Sequence, residues 1–72
     1  MKKYAVVIEK VPNSNYSAYV PDLPGCISVG ETLDEVTQTI QEAIELHIEG
    51  MREDGLPILE PSTRTAVVEV AA

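Results

Sequence analysis

One segment, TLDEVTQTIQEAIELHIEGMREDGLP (Thr32 to Pro57), sets the limits on this fold. Thr32-Leu33-Asp34-Glu35 has the spacing of a capping box, with Thr32 as N-cap and Glu35 reaching back. At 100° per residue Leu33, Val36, Ile40, Ala43, Ile44 and Met51 share one stripe, and Asp34, Glu35, Glu42, Glu45, Glu49 and Glu53 take the opposite side. Gly55 suits a left-handed position just past a helix end, Leu56 can fold back on Met51, and Pro57 forbids continuation. The sequence therefore predicts one helix from Thr32 to Asp54, roughly 33 Å long at 1.5 Å per residue. The remaining apolar segments are short. A single helix lays its stripe on one sheet face, so the other face has no cover from this helix.

Around that helix the pattern is β. Lys3 to Val11 is apolar and β-branched at Val6, Val7 and Ile8. PNSN (Pro12 to Asn15) is a turn, and Tyr16 to Val20 reads as a second strand closing a hairpin. In PDLPG (Pro21 to Gly25) neither proline donates a backbone N–H, so the ladder stops. Cys26 to Val29 is a third strand. PILEPS is a loop, and Arg64 to Val70 is expected as a fourth strand. The order β-β-β-α-β over residues 1–72 is a single α+β domain.

With 72 residues the core is thin, and neither a disulfide nor a Cys/His zinc site can support it, because Cys26 and His47 are each alone. The remaining support is association, so a homo-oligomer or a partner complex is expected. The charge is uneven. Residues 1–30 carry +1, residues 31–60 carry nine acids against Arg52, and residues 61–72 cancel, giving −7. Such a chain repels nucleic acid and suits a basic partner, although an acidic helix face also serves plain solubility. The opening lysines and apolar run are broken by Glu9 and Lys10, and no run approaches a membrane span, so a cytoplasmic protein without membrane contact is expected.

Cys26 would need a base to act as a nucleophile. The one imidazole, His47, falls inside the apolar stripe, where a half-buried structural role is expected. Cys26 then reads as a small strand residue after a stiff loop. Pro21 and Pro24 fix two φ angles, Gly25 permits a turn, and Asp22 can accept bonds from nearby N–H groups. The helix acids point away from the sheet and only Glu9 and Glu69 come from strands, so no metal-holding cluster, cofactor site or catalytic residue is expected. Leu46 lies among the acids, either as an ordinary exposed leucine or as a contact. Gly50 either admits a close neighbour or is simply tolerated. If the more apolar strand sides meet the helix, Ser17, Tyr19, Cys26 and Ser28 lie on the uncovered face, which is either a protein contact or a solvated surface.

The runs YSAYVPDLPGCISVGETLDEV and IQEAIELHIEGMREDGLPILEP, spanning most of Tyr4 to Pro61, resemble the HicB family of antitoxins. PDLPGC with GET and a long acidic helix ending in EDG-P is specific as a set. The resemblance implies a partial ribonuclease H-like fold without that nuclease's carboxylate cluster. It also implies an antitoxin that binds HicA, a small basic toxin that cleaves messenger RNA. On this basis Ser17, Tyr19, Pro21, Asp22, Leu23, Pro24, Gly25 and Ser28 are the expected toxin contacts, with Glu42, Glu45 and Glu49 steering the encounter. Many family members carry an added DNA-binding segment. This sequence stops two residues after Val70, so direct promoter binding is not expected. An oligomeric accessory protein without a toxin is the alternative role.

Overall fold

The computed structural model describes residues 1–72. Three strands, β1 (Val7–Lys10), β2 (Tyr16–Tyr19) and β3 (Ile27–Gly30), precede one helix, α1 (Leu33–Glu53). The strands form an antiparallel sheet in the order β1-β2-β3.

Each early connection is a turn with proline at its second position. Ser14 N–H donates to the Val11 carbonyl, Leu23 to that of Val20, and Cys26 to that of Leu23, at 3.0 to 3.1 Å. Pro12, Pro21 and Pro24 occupy the position whose φ the ring already fixes. Asn13 (φ 59°) and Gly25 (φ 84°) follow Pro12 and Pro24 in the left-handed conformation that a type II turn requires. The two turns spanning residues 20–26 run in series, and Val20 N–H also bonds the Cys26 carbonyl at 3.2 Å.

The helix ends follow from the sequence. The Thr32 hydroxyl accepts the Glu35 N–H at 3.0 Å, and the Glu35 carboxylate accepts from the Glu31 N–H at 3.3 Å. At the far end Leu56 N–H bonds the Met51 carbonyl and Gly55 N–H bonds that of Arg52, with Gly55 at φ 69°. This is the Schellman arrangement.

Strand pairing decides which side chains share a face, because directly opposed residues point the same way. Ile8, Ala18 and Ser28 align, as do Lys10, Tyr16 and Gly30, on the inner side toward the helix. Val7, Tyr19 and Ile27 align on the outer side, with Glu9, Ser17 and Val29. The core is Ala18, Val20, Leu23, Cys26, Val36 and Ile40. It gathers the sheet's inner face, the proline loop and the first two turns of the helix. Leu33, placed on the stripe by its angle, is half exposed in the first turn.

Two expectations are corrected. Strand three presents its small side inward: Cys26 is buried and Ser28 faces the helix, while Ile27 and Val29 are 71% and 60% exposed. The cause is the helix position. A Cβ on Gly30 would lie 2.6 Å from the Val36 backbone nitrogen, so α1 enters too close to β3 for larger inner side chains. The expected fourth strand is also absent. Arg64 to Val70 forms no ladder, and Val67, Val68 and Val70 are exposed.

No element approaches Gly50, whose Cβ position is open. Gly50→Ala should therefore raise stability by about 1 kcal/mol through helix propensity. Gly30→Ala should lower it by about 1–3 kcal/mol through overpacking against backbone. Urea unfolding of the two variants checks both signs.

Candidate functional site

The outer sheet face is built by alternation. In β2, Tyr16 and Ala18 turn inward, which sends Ser17 and Tyr19 outward. In β3, Ser28 and Gly30 turn inward, which sends Ile27 and Val29 outward. Tyr19 is 44% exposed, and no helix or loop covers it or its two apolar neighbours. Tyr19 and Ile27 are directly paired, as are Ser17 and Val29. The result is a small apolar surface with a phenol at its centre and Glu9 at its margin. Large exposed apolar groups that lie together mark contact surfaces more reliably than single ones.

The proline loop bounds this surface. Leu23 is completely buried and plugs the loop into the core, beside Cys26. Pro21, Pro24 and Gly25 are left exposed along the rim. Of the residues the sequence suggested for contact, Ser17, Tyr19, Pro21, Pro24 and Gly25 are thus accessible from outside. Leu23 and Ser28 are not offered to a partner there. The sequence placed Ile27 and Val29 toward the helix, whereas both are exposed on the outer face. The signal was the alternation of Cys26, Ser28 and Gly30, three small residues on one side of a strand two residues before a helix. Small side chains there mark close approach of that helix.

Asp22 has a different task. Its carboxylate accepts four hydrogen bonds, from the backbone N–H and hydroxyl of Ser62 (both 3.0 Å) and of Thr63 (2.9 and 2.8 Å). It clamps the C-terminal segment to the loop. The two bonds from Thr63 do most to stabilise the anion and hold the Asp22 pKa below the ordinary carboxylate range; desolvation opposes them, and each Ser62 bond adds a smaller lowering.

Cys26 has no polar role in this arrangement. Its thiol is buried, and desolvation raises its pKa, so it stays protonated at neutral pH. His47 is half-buried on the helix. No group of three or more His, Cys, Asp or Glu side chains converges. Glu9 sits on the outer sheet face and Glu69 in the exposed C-terminal segment.

The helix acids Glu42, Glu45 and Glu49 are exposed, with Leu46 (68%) between them. They lie on the helix side of the sheet, opposite Tyr19. The two groups therefore lie on opposite sides of the sheet. No helix here is long and apolar enough to cross a membrane.

Comparison with known proteins gives a consistent assignment. Residues 4–71 match the family model for the HicB-like antitoxin of bacterial toxin-antitoxin systems. A UPF0150 protein of Archaeoglobus fulgidus is 46% identical over 55 residues, covering 74% of this chain and 80% of that protein. A UPF0150 protein of Helicobacter pylori is 41% identical over 66 residues, 90% of each chain. A 14.9 kDa protein from the rep-hol intergenic region of Haemophilus phage HP1 is 55% identical over 51 residues, 71% of this chain, and the match spans only 38% of the phage protein. Among solved structures, a chain of a HicA3 and HicB3 toxin-antitoxin complex superposes with a TM-score of 0.70 at 30% identity, covering 85% of this chain and 70% of that one.

The Asp22 clamp has a pH signature. A depressed pKa means its stabilisation is fully present above the unfolded carboxyl value of about 3.9 and is lost as pH falls through the lower folded value. Amide exchange at Ser62 and Thr63, corrected for intrinsic rates, should rise several-fold over that acid window. Asp22→Ala should show the faster exchange already at neutral pH, with the β2 amides unchanged.

Proposed function

Because this chain belongs to the HicB-like antitoxin family of bacterial toxin-antitoxin systems, we propose that it neutralises a small basic mRNA-cleaving toxin by occlusion. It covers the toxin's RNA-binding surface and contributes no chemistry of its own. The observation that carries this reading is the uncovered outer sheet face, where Tyr19, Ile27 and Val29 stand exposed together. The rigid Pro21–Gly25 rim extends it, with Ser17 beside Tyr19. A preformed surface binds at a lower ordering cost than a mobile loop. The likeness to a chain from a HicA3 and HicB3 complex supports a partner of the same kind.

Charge enters at a distance. The net charge of −7 attracts a basic protein and disfavours nucleic acid. Glu42, Glu45 and Glu49 act through the long-range field, since they lie across the sheet from Tyr19. They set the rate of encounter in the cytoplasm, and the outer face sets the lifetime of the complex.

Kinetic binding measurements against the basic toxin separate these roles. Replacing Glu42, Glu45 and Glu49 with Gln should slow association at low salt and have little effect at high salt. Tyr19→Ala should speed dissociation about 30-fold at any salt, equivalent to the ~2 kcal/mol of an aromatic anchor. Unchanged dissociation for Tyr19→Ala, with binding abolished by the acid substitutions at every salt, would move the contact to the helix.

A further inference from the structure

A second surface lies on the other side of the sheet, at its β1 edge. The helix packs over β3 and β2 and leaves the inner side of β1 thinly covered. A groove runs there, lined by Val6 and Ile8 on the strand side, Ile44 and Ile48 on the helix, and Ile58 after it. β1 is an edge strand, so half of its backbone hydrogen-bonding groups have no sheet partner.

The chain also carries a segment with the character of a missing strand. Arg64-Thr65-Ala66-Val67-Val68-Glu69-Val70 alternates Ala66, Val68 and Val70 on one side with Thr65, Val67 and Glu69 on the other. Val67 is 104% exposed, Val68 75% and Val70 73%. The fold is correspondingly extended. Its radius of gyration is 14.0 Å, against about 11 Å for a compact domain of this length. Its surface is 5731 Å², against roughly 4,400 Å² for a compact monomer of this mass. The excess is larger than the ~800 Å² that one partner hides in a standard interface.

The segment's heading favours a partner over its own edge. Tyr4 donates its phenol to the Leu59 carbonyl at 2.6 Å, and Lys2 pairs with Glu60. The chain thus passes the residues that precede β1 and runs away from Val7–Lys10. The four bonds to Asp22 hold that direction at Ser62 and Thr63. Arg64 stands at the groove's rim, and everything after it is exposed.

We propose that residues 64–70 form a strand on the β1 edge of a second copy of this chain, with Ala66, Val68 and Val70 filling that copy's groove and the exchange being mutual. The added strand satisfies the open backbone groups of β1 and buries Val68 and Val70, which have no cover within one chain. The outer sheet face around Tyr19 stays free, so this dimer is independent of the antitoxin reading and compatible with it.

Light scattering on the full chain, with amide exchange of the β1 residues, tests the proposal. The expected mass is about 15.6 kDa, twice the 7.8 kDa chain. The outward β1 amides should be protected, and protection should fall at least tenfold on dilution to monomer. Val67→Lys with Val68→Asp should give a monomer of unchanged helix content and equally unprotected β1 amides. A mass of 7.8 kDa for the wild type would overturn the proposal. So would protection independent of concentration, which places the arm on its own edge, or a dimer that survives the arm substitutions, which places the contact elsewhere.

Discussion

The contact between Gly30 and the backbone of Val36 governs this structure. The helix begins two residues after β3, so its first turn must cross the end of that strand almost at once. A Cβ at Gly30 would come within 2.6 Å of Val36 nitrogen. Only small side chains fit beneath that crossing. Cys26, Ser28 and Gly30 therefore turn inward, and the strand's period of two sends Ile27 and Val29 outward. The apolar outer face is a direct consequence of where the helix enters.

The proline loop supplies the second constraint. Its two turns in series close on themselves through backbone bonds, and Leu23 and Cys26 anchor it from below. The lone thiol belongs to that anchor. Asp22 projects from the same loop and holds the chain that returns after the helix. One short segment thus ends β2, starts β3, seals the core and fixes the course of the C-terminal arm.

Much of this was legible in the sequence, because it is governed by local chemistry. The capping box at Thr32, the Schellman end at Gly55 and Leu56 and the proline turns each depend on a few neighbouring residues. The face of β3 was not legible from polarity, since Ile27 and Val29 look like core residues and Ser28 looks like surface. Their orientation depends on a tertiary distance, and only the spacing of small residues hinted at it. The partners of Asp22 lie forty positions away in sequence, beyond any local pattern. The strand expected at Arg64 to Val70 has the right composition and no ladder within the chain. Propensity describes what a segment favours, while a strand also needs an edge to pair with.

In the proposed reading the two faces of the sheet divide the work of association. The inner side, with its groove and open β1 edge, suits a second copy of the chain. The outer side, apolar around Tyr19, suits the proposed toxin partner. The helix walls the groove with Ile44 and Ile48, while its acids lie across the sheet from Tyr19 and, in the proposed reading, act through their field. The proposed occlusion needs no catalytic group, because it works by covering a surface. Methyl and amide NMR of the isotopically labelled chain, titrated with the basic toxin, tests that account most directly. It predicts large shifts or broadening at Tyr19, Ile27 and Val29, with Leu46 and the acidic helix face nearly unmoved. Perturbation centred on Leu46, Glu42 and Glu49, with the outer sheet signals unchanged, would contradict it.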